Sequence, residues 1–156
     1  MDPREPRPLN RDAALGYLFL RTTLGLNIFM HGLTRLLAGP VAFAETLVQL
    51  FHGTPLPSGM VGAFAYALPW LEAVIGLLLL LGAATRFALC AGALLIFVLT
   101  FGTALRQDWQ VAALQLFYAA VYAALLAFLD VVPLNWAAQA LGLHLRNGSL
   151  TSTRQH

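Results

Sequence analysis

Apolar positions along the chain gather into long blocks separated by short polar breaks. The blocks run Ala13–Leu37, Met60–Gly82, Phe87–Leu105 and Val111–Leu129. Each holds about 20 residues, enough for a helix to cross a hydrocarbon core about 30 Å thick. Between the first two lies Ala38–Gly59, where VAFAETLVQLFHG has helical spacing. Val41, Ala44, Leu47, Val48 and Phe51 form its apolar face, with Glu45, Gln49 and His52 beside it. It is too short to span and predicts an interfacial or re-entrant helix, ended by Thr54–Gly59. The fold expected is all-α: an integral membrane four-helix bundle with a short amphipathic or re-entrant helix between spans one and two. The membrane domain covers 13–136. Residues 1–12, rich in Pro and Arg, predict a disordered cytoplasmic arm, and 137–156 a surface helix and disordered tail.

The polar residues inside the blocks carry the information. Glu72 sits near the middle of the second span, where a free carboxylate costs on the order of 3 kcal/mol. Pro69, three residues earlier, removes a helical hydrogen bond beside it. The first span is the most polar. At about 100° per residue, Arg21, Gly25, Ile28, Gly32 and Arg35 share one stripe, with His31 at its edge. Glycines in such a stripe allow close helix approach, so this face should point into the bundle. In the fourth span Gln115, Tyr118 and Tyr122 share a face. Counting depth from the span ends puts Arg21 near the level of Glu72, with His31, Arg35 and Gln115 in the other half. This predicts a polar column in which Arg21 pairs with Glu72.

Composition agrees with a membrane protein: 59% of residues are hydrophobic and 10% charged, with a mean hydropathy of +0.73. The basic residues are all arginines and are scattered, which does not suit nucleic acid. Cys90 is the single cysteine, so neither an internal disulfide nor a CxxC redox pair can form. No cluster has metal-ligand spacing. His31 lacks a second intramembrane histidine for haem, since His52, His144 and His156 lie outside the blocks. With four spans, Arg4, Arg7, Arg11, Arg86, Arg146 and Arg154 fall on one side, and Arg35 and Arg106 on the other. Six against two predicts both termini in the cytoplasm.

His31-Gly32-Leu33-Thr34-Arg35 closes the first span, and Leu71-Glu72, Gly76, Leu81-Gly82 and Thr85-Arg86 follow along the second. These elements, over roughly Leu15 to Trp136, resemble the DoxX/DoxD family of small four-helix membrane proteins. The resemblance implies a four-helix bundle, a bacterial inner-membrane location and a link to membrane oxidoreductases. It also implies a thiosulfate or related sulfur donor with quinone as the acceptor. It marks His31, Arg35, Glu72 and Arg86 as the family-like positions. Gln115 stands where the family would have an acidic residue, and Leu134-Asn135 where a Leu-Asp pair would close the domain. A proton relay through span four is therefore not implied.

Two functional readings follow. In the first, the chain is a subunit of a quinone-linked oxidoreductase. Glu72 and Arg21 are then the catalytic pair. His31, Arg35, Gln115, Tyr118 and Tyr122 contact the quinone or an anionic substrate. No cofactor is expected within the chain, so electrons would come from the substrate or from a redox partner protein. In the second, the chain is a non-catalytic membrane scaffold or assembly subunit whose Arg-Glu pair is structural. The lipid bilayer is a partner in both, and a homo-oligomer is compatible with either.

Overall fold

The computed structural model of the chain describes residues 11–129. The described residues form five helices: α1 (Arg11–Ala38), α2 (Pro40–Leu50), α3 (Ser58–Leu81), α4 (Thr85–Leu105) and α5 (Trp109–Ala127). Four of these, α1, α3, α4 and α5, are long and apolar enough to cross a membrane. The all-α, four-span architecture expected from the sequence is present, with α2 as the short helix between the first two spans. Arg11 and Asp12 belong to α1, so the helix begins inside the stretch 1–12 that was expected to be a disordered arm. The arm over 1–10, the surface helix and the tail lie outside the described residues.

Local chemistry sets the breaks. Gly39, at φ 105°, turns the chain from α1 into α2, and Pro40 opens the new helix where its missing N–H costs nothing. Gly82, at φ 70°, ends α3 in the left-handed region. The following amide, of Ala83, donates back to Leu78 O at 3.0 Å. At the start of α5 the Asp108 carboxylate accepts from Val111 N at 3.3 Å, which caps the helix.

The spans pack chiefly as two pairs, α1 on α3 and α4 on α5, with α2 laid against α3. The first pair depends on small residues. A Cβ added to Gly32 would strike Ala73 N and the Pro69 carbonyl. One added to Gly76 would strike the Phe29 backbone, and one on Gly25 would lie 2.8 Å from Leu80 N. Backbones therefore touch where hydrocarbon supplies no hydrophobic drive for association, and van der Waals contact holds the helices together. Leu24, Ile28, Leu68, Ile75, Leu79, Leu89, Ile96 and Leu125 fill the space between the four spans.

Gly32→Val should lower unfolding free energy by about 3 kcal/mol, the upper end of the usual overpacking cost. Gly16→Ala, where an added Cβ meets nothing within 4 Å, should be neutral or stabilise by up to about 1 kcal/mol. Unfolding titrations in mixed micelles measure both.

Candidate functional site

Glu72 is 5% exposed, buried on the inner face of α3. Its partner is Arg35, whose Nη1 donates to both carboxylate oxygens. The guanidinium also lies over the Phe43 ring of α2, with Cζ 4.7 Å from the ring centre. A buried carboxylate, an arginine whose Nη1 bridges both its oxygens, and an aromatic face thus come from three different helices. The arginine satisfies both oxygens, and the ring covers one face of the cation.

The register of α1 on α3 explains this pairing. The helices run antiparallel, with Gly25 beside Gly76 and Gly32 beside Pro69 and Ala73. That places Glu72 opposite His31. Side chains on a helix lean toward its N-terminus, so Arg35, one turn beyond His31, reaches back to the carboxylate. Arg21 does not. Its guanidinium lies against Gly82, ten residues from Glu72, or about 15 Å along the helix. The expected Arg21–Glu72 pair is thus replaced by Arg35–Glu72. The depth count failed because α1 has 28 residues, about 42 Å of helix. Its start lies well beyond the end of α3, so counting from there set Arg21 too deep.

His31 is exposed on α1, within Coulombic reach of Glu72. One turn earlier Asn27 is exposed too, and its Oδ1 accepts from the Tyr118 hydroxyl of α5 at 3.0 Å. α1 and α5 otherwise touch only lightly. The seam between them therefore carries His31, Asn27 and Tyr118 on its sides, with Glu72 behind.

Gln115 points elsewhere, and Tyr122 lies deeper in the core. Gln115 accepts a hydrogen bond from the Thr103 hydroxyl at 2.7 Å, tying α5 to α4. Tyr122 is fully buried, and its ring fills the notch left by Gly92. Its hydroxyl has no hydrogen-bond partner among the described residues. Of the seven candidates, the structure brings together Glu72, Arg35, His31, Tyr118 and Tyr122, the last within Coulombic reach of Glu72 and Tyr118, and sets Arg21 and Gln115 apart. Sequence reasoning missed Phe43 and Asn27 as members. Asn27 carried a usable signal, being four residues before His31 and eight before Arg35. Phe43 carried none, since an aromatic residue on α2 reads as ordinary apolar surface.

A separate groove of about 350 Å³ lies between α2 and α3, lined by Val41, Ala44, Glu45, Val48, Gln49, Gly62 and Tyr66. None of the candidate residues borders it. Among the described residues, no three His, Cys, Asp or Glu side chains gather as metal ligands.

The DoxX family model matches residues 16–107, more than half of the chain. The chain belongs to the DoxX family. No curated protein and no solved structure matches it. As a DoxX protein with four spanning helices it is a multi-pass membrane protein. The two sequence elements that resembled the family prove to be two sides of one contact. His31-Gly32…Arg35 on α1 faces Glu72…Gly76 on α3, with the glycines as the seam and the charged pair at its end.

Arg35→Met should destabilise the bundle by about 3–5 kcal/mol, because it strands a buried carboxylate. Adding Glu72→Leu should recover most of that loss. Recovery in an unfolding titration of the double variant identifies the pair; additive losses would mean that the two residues act separately.

Proposed function

We propose that this chain is a subunit of a quinone-linked oxidoreductase in a bacterial inner membrane, with both termini cytoplasmic. The observation that carries the reading is a buried carboxylate behind a lightly packed polar seam between two membrane helices. A quinone is an apolar molecule with two carbonyl acceptors, and it reaches proteins through the bilayer. A seam between spans with donors on its sides suits such a substrate. Reduction of a quinone to a quinol consumes two electrons and two protons. The electrons come from a redox partner protein or a sulfur donor such as thiosulfate. The protons are the business of this chain.

In this reading His31 donates to a quinone carbonyl at the seam, and the Tyr118 hydroxyl, released from Asn27, can donate in the same space. Glu72 exchanges the proton. Arg35 holds the carboxylate in one place, and Phe43 keeps the guanidinium there while the carboxyl is neutral. Arg35 thus takes the role first given to Arg21. Gln115 has no part, since its amide is engaged with Thr103. The arginine distribution supports the orientation: more arginines flank the side holding the termini.

The satisfied state of Glu72 favours a second reading, in which the chain is a non-catalytic scaffold or assembly subunit. A carboxylate with both oxygens bonded to arginine needs no substrate to explain it.

Donor-dependent quinone reduction by membranes containing the intact complex separates the two. Glu72→Gln should lower turnover per folded protein about 10²-fold, the usual contribution of a positioned acid-base group. His31→Gln, at an exposed position, should leave stability unchanged and lower turnover about tenfold, mainly through KM. Full turnover in both variants would leave only the scaffold reading.

A further inference from the structure

Arg21 is left without a task by the Arg35–Glu72 pair. Its surroundings are unusual for a cation in an apolar helix. Arg35 has Glu72, and Arg106 has Asp108 at 3.7 Å. Arg21 has no carboxylate and makes no hydrogen bond among the described residues, and its buried Nε is orphaned. One turn earlier on the same face, Tyr17 has a buried hydroxyl that is orphaned as well. The two side chains lie within Coulombic reach of each other. Two polar groups, one of them charged, stand together with no hydrogen-bond partner among the described residues.

Their place in the fold narrows what the acceptor is. The Arg21 guanidinium lies against Gly82, where α3 leaves the left-handed cap and turns into α4. That turn is where two spans exit the membrane, so Arg21 lies at headgroup depth. Both side chains are partly exposed overall, although Arg21 Nε and the Tyr17 hydroxyl are themselves enclosed, so a ligand approaches past the exposed parts of the two side chains. Negative potential at the C-terminal end of α3 favours a cation there by less than about 1 kcal/mol when the site is exposed. It provides no acceptor for Nε or for the phenol. The complement of a guanidinium and a phenol at this depth is a phosphate oxygen.

We propose that Tyr17 and Arg21 form a binding site for the phosphodiester headgroup of an anionic phospholipid, in the leaflet on the side of the α3–α4 turn. Arg21 donates to the phosphate oxygens, and Tyr17 adds a neutral hydrogen bond beside it. The lipid supplies the counter-charge that the described protein residues do not. The site lies at the opposite end of the α1–α3 seam from Arg35 and Glu72 and does not depend on the oxidoreductase reading.

The test uses full-length protein in non-ionic maltoside micelles, titrated with phosphatidylglycerol and followed by native mass spectrometry and by Tm. Wild type should retain phosphatidylglycerol and gain Tm from it. Arg21→Gln should weaken retention about tenfold and Tyr17→Phe about fivefold, matching the loss of a charged and a neutral hydrogen bond. Both should lose the lipid-dependent rise in Tm. Tyr17→Phe removes only an unpartnered hydroxyl, so it reports even if Arg21→Gln folds poorly. Equal lipid retention in wild type and Tyr17→Phe would overturn the site. So would an Arg21→Gln loss of Tm that is the same with and without lipid, since that is a helix-end role alone. Inorganic phosphate or glycerol phosphate raising Tm as well as the lipid would overturn the lipid as its ligand.

Discussion

A carboxylate in the middle of a membrane must be neutralised by something fixed in place, and the rest of this fold follows from how Glu72 meets that demand. Its partner has to come from another helix at the right depth, and the helices must lie close enough for the side chains to meet. Gly25, Gly32 and Gly76 provide the closeness, since a Cβ at any of them would strike the facing backbone. Arg35 provides the charge. Neither element is sufficient alone. A glycine seam without the pair leaves Glu72 bare, and an arginine on a helix held farther away by larger side chains would not reach it.

The same arrangement decides where the polar side of the bundle lies. Once the stripe with Gly25, Ile28 and Gly32 faces α3, the neighbouring stripe with Asn27 and His31 must turn toward α5. A polar seam thus follows from the packing of an apolar one. α2 adds a third component. Phe43 lies on the far side of the Arg35 guanidinium. At the end of α2 the Phe51 ring lies 5.4 Å from Arg106 Cζ, with its edge near Gly102. A helix too short to cross the membrane is in this way fixed to two arginines and sits beside the buried pair.

Much of this was legible in the sequence, because membrane spans are written in composition and length. The four spans and the short amphipathic segment followed from block lengths, and the inward face of α1 followed from glycine spacing. The family resemblance marked the His-Gly…Arg and Glu…Gly elements without bringing them together, and the register of α1 on α3 shows that they meet. The choice between Arg21 and Arg35 was not legible. Both lie on the same stripe, and choosing between them requires knowing how far α1 extends past the end of α3. The sequence gives the length of a helix but not its offset from a neighbour. Gln115, expected in the polar column, bonds to Thr103 of α4 for a similar reason. A periodic face says which residues share it, not whether α4 or α1 lies opposite. Thr103 and Asn27, which answer that question, are ordinary polar residues until the neighbours are known.

The account rests on Glu72 being an ionised carboxylate clamped by Arg35 inside the membrane. Infrared difference spectroscopy of the reconstituted protein, comparing wild type with Glu72→Gln, tests this most directly. The account predicts that the substitution removes a carboxylate stretch and no protonated-carboxyl stretch. A protonated-carboxyl band in wild type that vanishes in Glu72→Gln would show that the carboxyl is neutral, and would contradict the ion pair as the constraint that organises the fold.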